Sequence, residues 1–245
     1  MLKLKVLACD VLRREISYLS SLSPCYVDAV FLPQGLHEFP DKLRIMLDEE
    51  IEKANQETVL RRDGGAYDFI ILAYGLCDNS VAGLKSSAIP LIVPRAHDCI
   101  TLLLGSKERY SALFSETPGI YWYSRGWIER SLQPGKERYE QSYQSYVERF
   151  GEDNAEYLME TEQGWFKSYK CAFFIDWECL GNPEPYRAYT KECAEYLKWN
   201  YREIKGSPSL LEKALRGEFD QDEVLIVPPG KTIRPSYDEG IIKYE

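Results

Sequence analysis

Arg95, His97, Asp98 and Cys99 stand within five residues of one another, directly after the apolar run Leu91–Pro94. A buried run that stops and at once presents a base, an acid and a thiol is a place for chemistry. Only two histidines, His37 and His97, and seven cysteines occur in the chain, so their positions carry information. Cys9 follows the apolar stretch that opens the chain, His37 follows Tyr26–Leu32, and Cys77 follows Tyr67–Ala73. If those stretches are parallel strands, all five residues lie along the carboxyl edge of one sheet, where ligands of open α/β sheets bind. Three thiols and one or two imidazoles are preferred zinc donors, and three cysteines also suit an iron–sulfur cluster. Cys9, Cys77, His97 and Cys99 are accordingly the predicted metal ligands, with Arg95, His37 and Tyr74 orienting a small-molecule substrate. No CxxC is present, so the ligand set rests on the fold rather than on a local motif.

Other readings stay open. Cys9 or Cys77 would make a metal-free nucleophile with His97 and Asp98, whereas Cys99 stands too near His97 in sequence to be aimed at it. Asp98 reads as a support of its own loop, Arg95 and Asp98 as a plain ion pair, and His37 as a loop hydrogen-bonder. Cys25, Cys171 and Cys193 read as core, since free cysteine is among the most buried residue types. Whether Trp127, Asp176 or Cys179 joins the site is left undecided.

The elements that would hold these residues alternate regularly. Strands are expected at Lys3–Ala8, Tyr26–Leu32, Tyr67–Ala73, Pro90–Val93, Gly119–Ser124, Cys171–Trp177, Tyr201–Lys205 and Glu223–Val227. Helices are expected between them, the first capped by Asp10, a long one opening at Pro40 with Leu43, Met46, Leu47, Ile51 and Ala54 inward, and one near Tyr186–Trp199. A turn is expected at Asp63-Gly64-Gly65. The tyrosine-rich face Tyr139, Tyr143, Tyr146 and Phe150 reads as helix core, Asp153 as the cap of the next helix, and Ser207 as the cap of Ser209–Leu215. This rhythm predicts an α/β protein with mostly parallel sheets, helices on both faces and a Rossmann-like build. Two similar lobes, 1–117 carrying the Cys/His site and 118–245 packing on it, or a single continuous domain both fit.

Composition sets outer limits. The 245 residues, 44% hydrophobic and 28% charged, suit a globular α/β chain. The net charge of −9 argues against nucleic-acid binding. No apolar run approaches the roughly 20 residues that cross a bilayer, and Asp10 and Arg13 interrupt the opening apolar stretch, so a cytoplasmic, non-membrane protein is expected. GxGxxG, Walker and GxSxG motifs are absent from the sequence.

The strings FLPQGLH, YGLCDN, PRAHDCITLLLGS, PGIYWYSRGWIER, FGEDNAEYL and LIVPPG resemble an uncharacterised domain-of-unknown-function family of anaerobic archaea and bacteria, along nearly the whole chain. Asp10 and Asp78 stand where the family pattern has glycine. The resemblance implies a cytoplasmic α/β protein in the setting of corrinoid-dependent methyl transfer. His97-x-Cys99 is also similar in form to the His-x-Cys pair of zinc-dependent thiol methyltransferases, which have a different fold. The expected function is therefore metal-dependent methyl or alkyl transfer linked to thiol or corrinoid chemistry, with zinc or an iron–sulfur cluster as cofactor and a corrinoid protein as partner. An iron–sulfur protein with three cysteine ligands, or a non-enzymatic accessory protein binding a metal or corrinoid, is the alternative.

Overall fold

Alternating buried runs and amphipathic segments leave this chain few ways to hide its apolar faces, and the computed structural model shows the α/β solution. It describes residues 1–57 and 64–245, so the turn expected at Asp63-Gly64-Gly65 begins, at Asp63, outside the described residues. The chain divides into two units, one formed by 1–110 with 207–245 and the other by 111–206.

In the first unit β1 (Lys3–Cys9), α1 (Arg13–Leu22), β2 (Tyr26–Leu32), α2 (Pro40–Gln56), β3 (Phe69–Ala73), β4 (Leu91–Pro94) and α3 (Cys99–Leu104) follow in turn, and α4 (Lys107–Glu116) leads the chain out. The strands lie in the order β2-β1-β3-β4, all parallel. Cys9 is level with Leu32 and Ala8 with Ala73, so three of the strands end together. The continuous apolar character of β3 and β4 follows from burial, as expected of parallel strands covered on both faces. On α2, Leu43, Leu47, Ile51 and Ala54 are buried at spacings of one helical turn, and each buried leucine contributes about 2 kcal/mol. All six residues of α3 are buried, Thr101 among apolar neighbours in its sequence.

Lys5 brings a charge into this core. Lys5 is buried on β1 opposite Asp28 of β2, and its Nζ lies 2.9 Å from Asp28 and 3.0 Å from Glu57. The Tyr67 hydroxyl also donates to Asp28. Burial alone would raise the Asp28 carboxyl, but the hydrogen bonds from Tyr67 and Lys5 outweigh it and hold the group below the ordinary carboxylate value. A depressed folded pKa gives stability that is present above the unfolded value, about 3.9, and lost as pH falls through the folded one. Urea unfolding from pH 6 down to pH 3 should therefore show stability falling below about pH 4, and Asp28→Asn should flatten that limb. An unchanged acid limb in the variant would remove Asp28 from the account.

The second unit contains β5 (Ile120–Ser124), α5 (Arg125–Arg130), α6 (Lys136–Phe150), α7 (Glu152–Glu162), β6 (Cys171–Asp176), α8 (Glu184–Leu197) and β7 (Asn200–Lys205). Its sheet has the order β5-β6-β7, all parallel. Tyr123, Phe166, Phe174, Cys193 and Trp199 form an aromatic core. Beyond it the chain returns to the first unit through α9 (Ser209–Leu215), β8 (Val224–Val227), β9 (Ile233–Pro235) and β10 (Ile242–Tyr244).

That return corrects the expected division at 117/118. β8 adds antiparallel to β4, so 207–245 belongs with the first unit and the second is an insertion. A four-residue apolar strand reads the same whichever sheet receives it. The antiparallel β9–β10 pair was not expected, because three residues show no periodicity. Asp10 is not a cap position: it opens a 3-10 turn, Asp10–Leu12, whose cap position is Cys9, and it pairs with Arg13; the cap position of α1 is Leu12. Asp153 lies within the first turn of α7, whose cap position is Gly151. The cap position of α9 is Pro208, although Ser207 Oγ still accepts from Ser209 N at 3.4 Å. The tyrosine face is not core either. No residue of α6 is buried; Tyr139 stacks on Tyr143 and Tyr146 meets Phe150 along the helix surface, while α6 packs against α7. Four-residue spacing reports a shared face and not what covers it.

Candidate thiol site at the sheet edge

The strand order places a topological switch point between β1 and β3. From β1 the chain first adds β2 on one side and later β3 on the other, and in open α/β sheets the crevice outside the carboxyl ends at such a point receives the ligand. Cys9 ends β1 there, and Tyr74 to Cys77 continue β3.

Beyond the sheet, the β3 and β4 loops are tied backbone to backbone. Leu76 N donates to Ala96 O at 2.8 Å and Cys77 N to His97 O at 2.9 Å. Gly75 makes this approach feasible, since a Cβ there would lie 2.6 Å from Asp98 Cα and 2.7 Å from the His97 carbonyl carbon. Asp98 fixes the second loop by accepting from Ile100 N at 3.0 Å and Thr101 N at 3.4 Å, with Tyr110 donating to its other oxygen at 3.1 Å. It is a loop support, as its sequence position suggested.

Cys77, Asp78 and Asn79 have φ of +45°, +52° and +66°. Left-handed backbone costs L-residues about 1–2 kcal/mol each, less for Asp and Asn. Three in a row constitute local strain of the kind that collects at functional sites.

Around these loops the acids gather. Tyr74 is 3% exposed, and its hydroxyl is buried without a hydrogen-bond partner among the described residues. Burial drives its pKa well above the ordinary value, and Cys9, Cys77, Asp10 and Cys99 add to the rise. Burial pushes the Cys77 thiol up to about 12, with Asp98 and Cys9 contributing. Cys9 is raised too, mainly by burial. Cys9, Cys77 and Cys99 thus stand at or after the ends of β1, β3 and β4, and the buried phenol follows β3.

The remaining predicted residues are placed differently. Cys99, 9% exposed, begins α3, while His97 is exposed beside Asp98. His37 lies half-buried in the 3-10 turn Leu36–Glu38. The Arg95 guanidinium is engaged with main-chain carbonyls, at 2.8 Å from Gln221, 2.7 Å from Gly240 and 2.8 Å from Ile242; it fastens the C-terminal segment to the end of β4. Asp176, Cys179 and Trp127 belong to the second unit. Of the presumed core cysteines Cys193 is buried, and Cys25 and Cys171 are half-buried. Among the described residues, no group of three or more His, Cys, Asp or Glu side chains is arranged to hold a metal ion.

Sequence reading missed Gly75, the left-handed turn and Tyr110. A glycine between a strand end and a cysteine signals close backbone approach, and Asp-Asn signals tolerance of positive φ. Tyr110 carried no such sign.

The fold defines an α/β protein whose first unit holds a mostly parallel sheet with a switch point between β1 and β3. The chain belongs to the DUF1638 family, a family of proteins of unknown function, whose profile matches residues 31–215. The match takes in His37, Tyr74, Cys77, Arg95, His97 and Cys99, and begins after Cys9. No curated protein and no solved structure matches the chain. Among the described residues no helix is long and apolar enough to cross a membrane.

Proposed function

We propose that the carboxyl edge of the first unit is a cation site in which Cys9, Cys77 and Cys99 supply sulfur donors and His97 closes the mouth. The reaction assigned to it is methyl or alkyl transfer involving a thiol, with a corrinoid protein as donor or acceptor. The observation that carries the reading is the position of Cys9 at the end of β1, Cys77 after β3 and Cys99 after β4, on the carboxyl side of one sheet. Thiol donors at three strand ends are the complement of a soft or borderline cation. Sulfur and imidazole donors favour zinc or an iron–sulfur cluster.

The donor chemistry fits such a centre, while the side chains as they stand are not gathered into a ligand set. Binding must draw them together, and the strained Cys77-Asp78-Asn79 turn is the segment with energy to release on doing so. A bound zinc ion would supply thiolate at neutral pH by lowering a sulfur pKa. The protein's part is to tie the two loops through Gly75 and Asp98, to shield the sulfurs at the strand ends, and to leave His97 and His37 accessible. A metal-free nucleophile is the weaker reading, because a thiol with a pKa near 12 holds almost no thiolate at pH 7.

Protein purified without oxygen, or reconstituted so, should carry about one zinc per chain and no visible colour. A brown iron–sulfur spectrum would replace zinc by a cluster, and tight corrinoid-protein binding without turnover would make the chain an accessory protein. Cys99→Ala should lower zinc affinity at least 10-fold, in the range seen when a metal ligand or its support is lost. Full metal content in that variant would sink the ligand assignment.

A further inference from the structure

In the second unit a groove of about 430 Å³ lies along one face of α6 beside the end of α7. That volume is within the range of small-molecule sites, about 300–1,000 Å³. Arg138, Ser142, Ser145 and Arg149 line it at spacings of three and four residues, so they share one side of the helix. The glutamates of α6, Glu137, Glu140 and Glu148, stay outside the groove. A cation on a surface helix is ordinarily steadied by an acid three or four residues away, as Lys136 is by Glu140 at 3.7 Å. Within α6 those places hold Gln141 and Ser142 for Arg138, and Ser145 and Tyr146 for Arg149. Glu162 supplies the groove's carboxylate and is already answered, by Arg138 at 3.4 Å and the Tyr146 hydroxyl at 3.0 Å. No acid pairs with Arg149 among the described residues; its guanidinium lies 5.0 Å from the Phe150 ring centre. The Ser142 and Ser145 hydroxyls make no hydrogen bond to other described residues. Thr161 and Thr190, by contrast, donate to carbonyls four residues back at 3.0 and 2.8 Å. Two guanidiniums against one carboxylate leave the groove positive, in a chain whose net charge is −9.

We infer that this groove binds a small phosphate monoester, with the phosphate held by Arg149, Ser142 and Ser145 and the organic part against Leu132. A guanidinium presents a planar fork that matches two phosphate oxygens at once, and the serine hydroxyls donate to the oxygen that the fork leaves over. A carboxylate has only two oxygens, which the fork alone satisfies, and would leave the serines without a role. Arg138 is committed to Glu162; its part is to neutralise a carboxylate that would otherwise repel the ligand. Leu132, 36% exposed, gives the organic part an apolar contact. The inference is independent of the cation site at the sheet edge, because every residue it uses belongs to the other unit.

The test titrates the full chain with phenyl phosphate, inorganic phosphate and acetate at constant ionic strength, followed by amide NMR shifts and calorimetry. Wild type should bind phenyl phosphate saturably and inorganic phosphate more weakly, with the shifts centred on α6 and Leu132, and acetate should not saturate. Arg149→Gln should weaken phenyl phosphate binding at least 10-fold, the loss of hydrogen bonds to a charged group. Ser145→Ala should weaken it by up to about 10-fold, the loss of one such bond. Lys136→Gln, on the same helix but outside the groove, should leave it unchanged. Arg149, Ser145 and Lys136 are all exposed, so none of these variants should melt below wild type, and a loss of binding then reports the groove rather than the fold. No saturable binding by wild type, or unchanged binding in Arg149→Gln, would overturn the inference. An equal loss in Lys136→Gln would overturn it by reducing the binding to general surface charge, and acetate bound as tightly as phenyl phosphate would overturn the assignment to phosphate.

Discussion

Arg125→Ala should cost about 3–5 kcal/mol, the loss typical when one partner of a buried ion pair is removed, and should unfold the second unit before the first. Arg125 follows β5 and is 2% exposed. Its guanidinium reaches Asp176 at 2.7 Å and the carbonyls of Leu180, Gly181 and Asn182 at 3.0, 2.9 and 3.3 Å. One side chain therefore answers four acceptors and pins the loop after β6. Asp176 would be left with Arg187 at 3.7 Å, which is itself engaged with Glu203. Surface ion pairs are worth little, so the effect depends on burial. The double variant Arg125→Met, Asp176→Leu should recover part of the loss by removing the stranded carboxylate, but the loop carbonyls would stay unanswered. Urea unfolding with amide exchange checks both variants. A loss under about 1 kcal/mol would mean the loop holds without Arg125.

Gly75→Ala is expected to act on the other unit and on the site at once. Its Cβ would press on the Asp98 and His97 backbone at 2.6 and 2.7 Å, contacts that no side-chain rotation relieves. Overpacking of this kind costs about 1–3 kcal/mol, occasionally more. The two loops must part, releasing the bonds from Leu76 N and Cys77 N, and metal uptake should fall with them. Faster exchange of the Leu76 and Cys77 amides, with little change in β1, would locate the damage. A variant with wild-type stability and unchanged protection would show that the loops do not need this approach.

Much of this architecture was legible because parallel strands buried on both faces announce themselves as apolar runs. β3 was read in that way, and the α2 face of Leu43, Leu47, Ile51 and Ala54 from its spacing. The placement of Cys9, His37, Cys77 and His97 after strands followed from the same pattern, and the parallel pairing of β1, β2, β3 and β4 brings their carboxyl ends to one edge. Strand order was not legible, since nothing local in Val224–Val227 says that it joins β4. Nor was the commitment of Arg95, which depends on carbonyls more than 120 residues away in sequence. The half-buried tyrosines of α6 failed for the opposite reason: a regular local pattern does not say how completely the neighbouring element, here α7, covers it. Tyr74 was noted as a strand-end residue, but its lack of a partner is a property of three loops together.

On the proposed function, Cys9, Cys77 and Cys99 bind one cation through sulfur. X-ray absorption at the zinc edge of the anaerobically loaded protein measures this most directly. The account predicts three sulfur neighbours at about 2.3 Å, falling to two in Cys9→Ala, Cys77→Ala or Cys99→Ala. A zinc shell of nitrogen and oxygen alone, or a sulfur count untouched by all three substitutions, would contradict it.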